Sequence, residues 1–305
     1  MAYIFVLIGF LMLIKGADYF VEGASFIAKR FHIPEMIIGL TIVAMGTSLP
    51  ELSVSFISAL NGQSDMSIAN AIGSNIFNVL MILGMSSFIT ALPIKDSSRD
   101  DIFLLAITTA SLLAMSCLGM SLVWLDGLAL LIIFICFIRR MIKQSTDTTI
   151  SNKDSASLSI SKTIIYIVCG AAGIILGGTL VVNGATEIAR IFGMSDNLIG
   201  LTVVAVGTSL PECVTSLVAT KKGKLDIAIG NVIGSNLFNI LFVLGLSSLF
   251  CTLTVSAITL IDILFSLMIT LALLSVCCKY KRIGKLSGFT FIVLYISYMA
   301  FTIIR

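Results

Sequence analysis

The chain has 305 residues, of which 58% are hydrophobic and 11% charged, and its mean hydropathy is +1.10. Soluble domains carry about 25% charged residues, so a soluble enzyme is excluded and an integral membrane protein is expected. The net charge of +3 matters through its placement, which follows membrane sidedness and forms no patch suited to nucleic acid.

Apolar stretches long enough to cross a bilayer, about 20 residues each, fill nearly the whole length. Ten all-α crossings are expected, at 2–28, 36–60, 66–92, 102–118, 121–138, 163–189, 197–219, 226–250, 257–278 and 286–304. The first is too long for a signal peptide and lacks a basic start and a small-residue cleavage site. It carries Lys15, Asp18 and Glu22. The second contains "GLTIVAMGTSLPE", Gly39 to Glu51, and the third contains "IGSNIFNVLMILG", residues 72–84. Asp126 and Asp262 are expected near the outer interface, in water.

Arg139 to Lys162 is the longest polar stretch and reads as a cytoplasmic linker. The expected organisation is an N-terminal five-helix repeat over 1–140 (motif 39–84), a linker over 141–162, and a C-terminal five-helix repeat over 163–305 (motif 200–245). In the sixth segment, Gly173 to Gly177 is a GxxxG run suited to helix packing, and Glu187 follows it.

The seventh and eighth segments repeat the second and third. "GLTVVAVGTSLPE" (200–212) matches the first string at eleven of thirteen positions, and "IGSNLFNILFVLG" (233–245) matches the second at nine of thirteen. The offset is 161 throughout, and Asn70 matches Asn231 as Asp65 matches Asp226. Five crossings separate the copies, so equivalent helices run in opposite directions. Inverted repeats are a recurrent plan of secondary transporters, with the site near mid-membrane at the repeat interface. Sixteen Lys and Arg residues fall on one side and two, Arg190 and Arg305, on the other. The positive-inside rule makes the first side cytoplasmic and both termini external. The seven cysteines show no metal-ligand spacing and read as small packing residues.

A charge at the centre of a membrane helix costs about 2.5–3.5 kcal/mol on insertion scales and marks a site or pathway. Glu51 and Glu212, at equivalent inverted positions, are expected to meet. Facing carboxylates repel, and such a pair takes up a cation or a proton. Neither string holds a Lys or Arg. On a 3.6-residue helix, Ala44, Thr47, Ser48 and Glu51 share a face, as do Ala205, Thr208, Ser209 and Glu212. Pro50 and Pro211 donate no backbone hydrogen bond, so the Gly46 and Gly207 carbonyls are left free in an unwound step. Such broken backbone is tolerated where it lines a cavity. Ser74 and Asn78, with Ser235 and Asn239, extend the polar stripe and are expected ligands. Asn70, Asn75 and their counterparts fit ligation or interhelical hydrogen bonding. Carbonyl, hydroxyl and carboxylate oxygens suit hard cations such as Ca2+, and the lack of His or Cys pairs disfavours zinc and copper.

With "GTSLPE" and "GSNxFN" each present twice, the chain resembles the cation/calcium antiporter superfamily, in its prokaryotic sodium/calcium exchanger family. The resemblance covers essentially the whole chain. It implies Ca2+ held by Glu51, Glu212 and the carbonyls of Thr47 and Thr208. It implies Na+ sites built from the carbonyls of Ala44 and Ala205 and the hydroxyls of Ser48, Ser209, Ser74 and Ser235, with Asn78 and Asn239 as the central amides. Some similar exchangers have aspartate where Asn239 stands, so this site holds two ionisable carboxylates, not three. The expected activity is Ca2+/Na+ antiport across the inner or plasma membrane, with no cofactor and no enzyme chemistry. A Ca2+/H+ antiporter and a passive cation channel are the alternatives, and participation of K+, the oligomeric state and the roles of Asp18, Glu22 and Glu187 stay open.

Overall fold

The computed structural model describes residues 1–147, 159–194, 203 and 205–304. The centre of the expected linker, 148–158, lies outside the described residues, as do 195–202, 204 and 305.

Among the described residues the chain is almost entirely helical. Helix α1 is Ala2–Arg30. Helices α2 (Glu35–Thr47) and α3 (Leu49–Leu60) form a pair bent by 50°. Helix α4 is Ser64–Ile89, α5 is Asp96–Gly119 and α6 is Trp124–Asp147. Helix α7 is Ile160–Ile191, α8 is the short Ala205–Thr208 and α9 is Leu210–Lys221. Helices α10 (Leu225–Phe250), α11 (Ala257–Tyr280) and α12 (Lys285–Ile304) complete the fold. Among the described residues seven helices are long and apolar enough to cross a membrane, or eight if the bent pair is one crossing. The ten expected from sequence differ from this count for two reasons. Helix α6 carries Arg139, Arg140 and Lys143 in its last third, and much of the approach to α9 lies outside the described residues.

Two-residue strands tie the helix ends together. Strand β1 (Leu92–Pro93) pairs antiparallel with β4 (Arg282–Ile283), and β2 (Ser121–Leu122) pairs with β3 (Leu253–Thr254). Their positions keep the 161-residue period, as do the left-handed turn residues Gly62 and Gly223, and Met120 and Lys281. The repeat legible in two motifs therefore runs through the loops as well.

Helices α4 and α10 lie at the centre. Of their most apolar windows 72% and 94% is buried, against 17% to 39% for α1, α5, α7, α11 and α12. Their cores interdigitate in one apolar cluster with α5, α6 and α11, including Ile76, Leu80, Ile102, Leu130, Leu237 and Leu241. A second cluster is built around α1 and α7. These two helices approach backbone to backbone through Gly9, Gly16, Gly170 and Gly177. A Cβ added at Gly16 would lie 2.7 Å from the Ile174 amide nitrogen and 2.8 Å from the Gly170 carbonyl. Gly173 faces Gly16, so the GxxxG run packs helices as its sequence suggests.

Several outlying polar residues lie away from the centre. Lys222 pairs with Asp18 at 2.7 Å and Glu22 at 3.4 Å, joining α9 to α1, and Glu187 is exposed on α7. Asp262 corrects the expectation of a solvated carboxylate: it is 5% exposed and accepts a 3.1 Å bond from the Tyr298 hydroxyl. The cysteines divide, with Cys213 and Cys277 packed inside but Cys117, Cys136, Cys169 and Cys278 exposed.

Leucine at Gly16 must force α1 and α7 apart, an overpacking that costs about 1–3 kcal/mol. Gly16→Leu is expected to lower the thermal unfolding midpoint in detergent. Gly284→Ala, where an added Cβ meets nothing within 4 Å, is expected to leave it in place.

Candidate functional site

The site grows out of the break at Ser48. Pro50 is the second residue of α3 and supplies no N–H to the Gly46 carbonyl, and the chain turns by 50° there. Glu51 thus becomes the third residue of α3 and Glu212 the third of α9. Both sit where unpaired amides and the helix dipole favour negative charge.

Ser48 and Glu51, like Ser209 and Glu212, have the spacing of a capping box, in which the serine serves its own helix. Here neither serine caps its own helix. Ser48 Oγ donates instead to Glu212 Oε1 at 2.7 Å, and Ser209 Oγ donates to Glu51 Oε1 at 3.3 Å. Ser74 also donates to Glu51 Oε1, at 3.3 Å, and receives a 3.0 Å bond from Ser209. The exchange of serines across 161 residues brings both carboxylates to one place. Both glutamates are 0% exposed, so neither faces lipid or water.

Two asparagines bracket this arrangement. Asn70 Nδ2 donates to the Glu51 carbonyl at 3.3 Å and to Ser55 Oγ at 2.9 Å. Asn231 Nδ2 makes the same bonds, at the same lengths, to the Glu212 carbonyl and Ser216 Oγ. Their Oδ1 atoms accept from the opposite threonines, Thr208 at 3.4 Å and Thr47 at 3.2 Å. With both ends of each amide engaged, Asn70 and Asn231 are brackets in this geometry.

A second set of amides joins α4 to α10. Asn75 Nδ2 donates to the Asn236 carbonyl at 3.1 Å, and Asn236 Nδ2 donates to the Asn75 carbonyl at 3.2 Å. Asn78 Nδ2 donates to Asn236 Oδ1 at 3.0 Å and Asn239 Nδ2 to Asn75 Oδ1 at 3.1 Å. Asn78 and Asn239 each open a π-helical turn, Asn78–Ile82 and Asn239–Leu244, a feature frequent at functional sites.

Ten buried side-chain oxygens among the described residues have no hydrogen-bond partner, and four of them belong to the expected ligands: Glu51 Oε2, Glu212 Oε2, Asn78 Oδ1 and Asn239 Oδ1. Buried polar atoms without partners are rare and call for an explanation, and a buried unpaired charge is costlier still. The ion pairs found among the described residues all lie elsewhere. A cluster of acceptors with no donor and no basic side chain has the composition of a hard-cation site.

The expected residues divide accordingly. Glu51, Glu212, Ser48, Ser209 and Ser74 are brought into direct contact through the bonds above. Thr47 turns its hydroxyl to Asn231 and to the Val43 and Ala44 carbonyls, and Thr208 turns its hydroxyl to Asn70. Ser235 reaches neither carboxylate and donates to the Ala44 carbonyl at 3.5 Å, an atom that also accepts from the Ser48 amide at 3.0 Å. Ala205 opens α8, and its side chain lies outside the described residues. Gly234 packs closely on α2, since a Cβ there would lie 2.4 Å from the Leu40 carbonyl. A Cβ added at Gly73 would meet nothing within 4 Å. Sequence reasoning left Asn75 and Asn236 undecided and overlooked Ser55 and Ser216. The 161-residue spacing carried the signal for both, since each is serine or asparagine twice.

The family model described as sodium/calcium exchanger protein matches residues 1–143 and 162–304. An uncharacterized membrane protein of Methanocaldococcus jannaschii is 36% identical over 292 residues, covering 95% of this chain and 94% of its own. The sodium/calcium exchanger MaX1 of Methanosarcina acetivorans is 30% identical over 299 residues, 85% of either chain. A solved structure of the sodium-calcium exchanger NCX_Mj, soaked with 10 mM Na+ and 10 mM Sr2+, is similar with a TM-score of 0.88. It is 33% identical and covers 98% of this chain and 97% of that one.

Three hydrogen bonds end on each bracketing asparagine, each worth about 0.5–1.5 kcal/mol net. Asn231→Ala is expected to lower folding stability by about 2–4 kcal/mol, read as an earlier thermal midpoint in detergent. A midpoint equal to that of the unsubstituted protein would remove Asn231 from the bracket.

Proposed function

This chain belongs to the sodium/calcium exchanger family, and from that premise we propose that it is a secondary antiporter driving Ca2+ outward against entering Na+. The single observation that carries the ion site is the pair of fully buried glutamates, each with a bare Oε2, beside two bare amide oxygens. Ca2+ between Glu51 and Glu212 neutralises both charges. The carbonyls of Thr47 and Thr208 and the amides of Asn78 and Asn239 bring the oxygen count toward the 6–8 that Ca2+ takes.

Na+ uses an overlapping set: the Ala44 and Ala205 carbonyls and the hydroxyls of Ser48, Ser209, Ser74 and Ser235. A hydroxyl is both donor and acceptor. The serines that donate to the carboxylates turn their lone pairs inward when an ion enters. Because the two loads share ligands they compete, and competition at a site opened alternately to each side is exchange.

The proposed scaffold has ten crossings in two inverted five-helix repeats, 1–140 and 163–305, joined by a linker at 141–162. The two crossings added to the eight are α6, fifth in chain order, and the stretch ending in α9, the seventh. Inversion is supported by the strand pairings. Strands β1 and β2 bound the 24-residue helix α5, whose ends are about 36 Å apart at 1.5 Å per residue. Strand β3 is the counterpart of β1, yet it pairs with β2. Equivalent loops therefore sit at opposite ends of the bundle, as inverted halves require. The basic residues put the linker in the cytoplasm and both termini outside, in an inner or plasma membrane.

A Ca2+/H+ antiporter is the nearest rival, because bare carboxylates can also carry protons. In proteoliposomes at fixed pH, Ca2+ efflux is expected to follow an imposed Na+ gradient; efflux that ignores Na+ and follows a proton gradient would overturn Na+ coupling. Saturable flux that needs a counter-ion excludes a passive channel. Glu51→Gln removes one of two charges and is expected to abolish Ca2+ binding by calorimetry; retained binding would move the site elsewhere.

A further inference from the structure

Asn75 and Asn236 touch neither carboxylate, yet they control the two amides that present bare oxygens. A primary amide carries its donors and its acceptor at opposite ends, so anchoring Nδ2 decides where Oδ1 points. Asn78 Nδ2 is anchored on Asn236 Oδ1 and Asn239 Nδ2 on Asn75 Oδ1. A flip of Asn78 would set its Oδ1 against Asn236 Oδ1, acceptor against acceptor. Asn78 lies one helical turn beyond Ser74, on the face that meets Glu51.

The anchors are themselves locked. Each donates to the main-chain carbonyl of the other, at 3.1 and 3.2 Å, and both are 1% exposed. Every bond in this clasp crosses from one repeat to the other. The geometry points to Asn75 and Asn236 as positioning residues of the ion site: each holds the amide of the opposite repeat so that its carbonyl oxygen faces the cation. The inference rests on the ion site proposed above and goes beyond it, because it gives a role in affinity to residues that no ion touches. It also makes the dependence crosswise. Asn236 governs Asn78 but not its own neighbour Asn239, and Asn75 governs Asn239 but not Asn78.

That crosswise rule separates positioning from mere support of the fold. Ca2+ affinity is measured by calorimetry on purified full-length protein that elutes as a single symmetric peak, for Asn236→Ala, Asn78→Ala, Asn239→Ala and the doubles. Asn236→Leu, similar in volume and unable to accept a hydrogen bond, is made alongside in case the cavity left by alanine prevents folding. Loss of one net hydrogen bond predicts affinity about 10-fold weaker for Asn236→Ala. In the double Asn78→Ala/Asn236→Ala the two losses should not multiply, since the second removes nothing the first has left. In Asn236→Ala/Asn239→Ala they should multiply. Unchanged affinity in folded Asn236→Ala and Asn236→Leu, or multiplication in both doubles, would overturn the positioning role. If Asn78→Ala alone binds normally while Glu51→Gln does not, the positioning role falls and the carboxylate site stands. If Glu51→Gln also binds normally, the site itself is misplaced and both fall.

Discussion

Two carboxylates are fully buried together with no basic side chain paired to them, and the rest of the molecule is arranged around that constraint. An isolated buried carboxylate costs many kcal/mol unless it is paired or coordinates a metal. Here helix N-termini, three serine hydroxyls and the bracketing asparagines offset part of the cost. Each supplies partial positive charge without filling the space between the glutamates. None supplies a donor to Glu51 Oε2 or Glu212 Oε2. The protein stabilises the pair enough to fold around it, and on the proposed reading the remainder is left to a mobile cation.

The means of doing so is exchange between the two repeats. Serine spaced for a capping box serves the other repeat's glutamate, threonine serves the other repeat's asparagine, and Asn75 and Asn236 clasp one another. A local cap would have tied each carboxylate to its own helix and kept the halves independent. Because the bonds cross, neither half forms its part of the site alone. The pattern is not fully symmetric: Ser74 reaches Glu51 at 3.3 Å, whereas Ser235 reaches only the Ala44 carbonyl at 3.5 Å. Two copies of one motif thus hold unequal hydrogen-bond arrangements at the same moment. An alternating carrier needs such inequality, since its two sides must never be open together.

Much of this was legible in the residues. Repetition of "GTSLPE" and "GSNxFN" at constant spacing marked the elements that meet, and Pro50 marked the break, because a missing N–H leaves a carbonyl unpaired wherever it falls. The burial of Glu51 and Glu212 followed from their position in apolar helices lacking basic partners. What escaped reading was contact between repeats. Ser48 and Ser209 share a helix face with their own glutamates, and nothing in that spacing says the hydroxyl will cross to the opposite one. Asn75 lies one residue from Ser74 and so on another face, and its role became visible only when α10 was seen to present Asn236 to it. The π-turns at Asn78 and Asn239 are likewise silent in sequence, since a wide turn reflects packing rather than propensity. Asp262 was misjudged because its partner, Tyr298, comes from a helix 36 residues away.

The unfinished electrostatics of the empty site bear directly on why a carrier of this kind would exchange ions rather than leak them. Changing access from one side to the other requires an intermediate closed to both. With Ca2+ bound, or with Na+ on the shared ligands, the closed pocket carries little or no net charge. Empty, it carries two negative charges in a medium of low dielectric, where their mutual repulsion is several-fold larger than in water. Four oxygens without donors add their desolvation to that repulsion. The empty carrier therefore faces a higher barrier to closing than either loaded form, and each crossing is tied to an ion of one kind or the other. Had Asn78 and Asn239 both been lysine, the two carboxylates would be neutralised without cargo, and the same helices could close empty. On the proposed reading, the absence of a basic side chain paired with Glu51 or Glu212 is what makes the exchange obligatory.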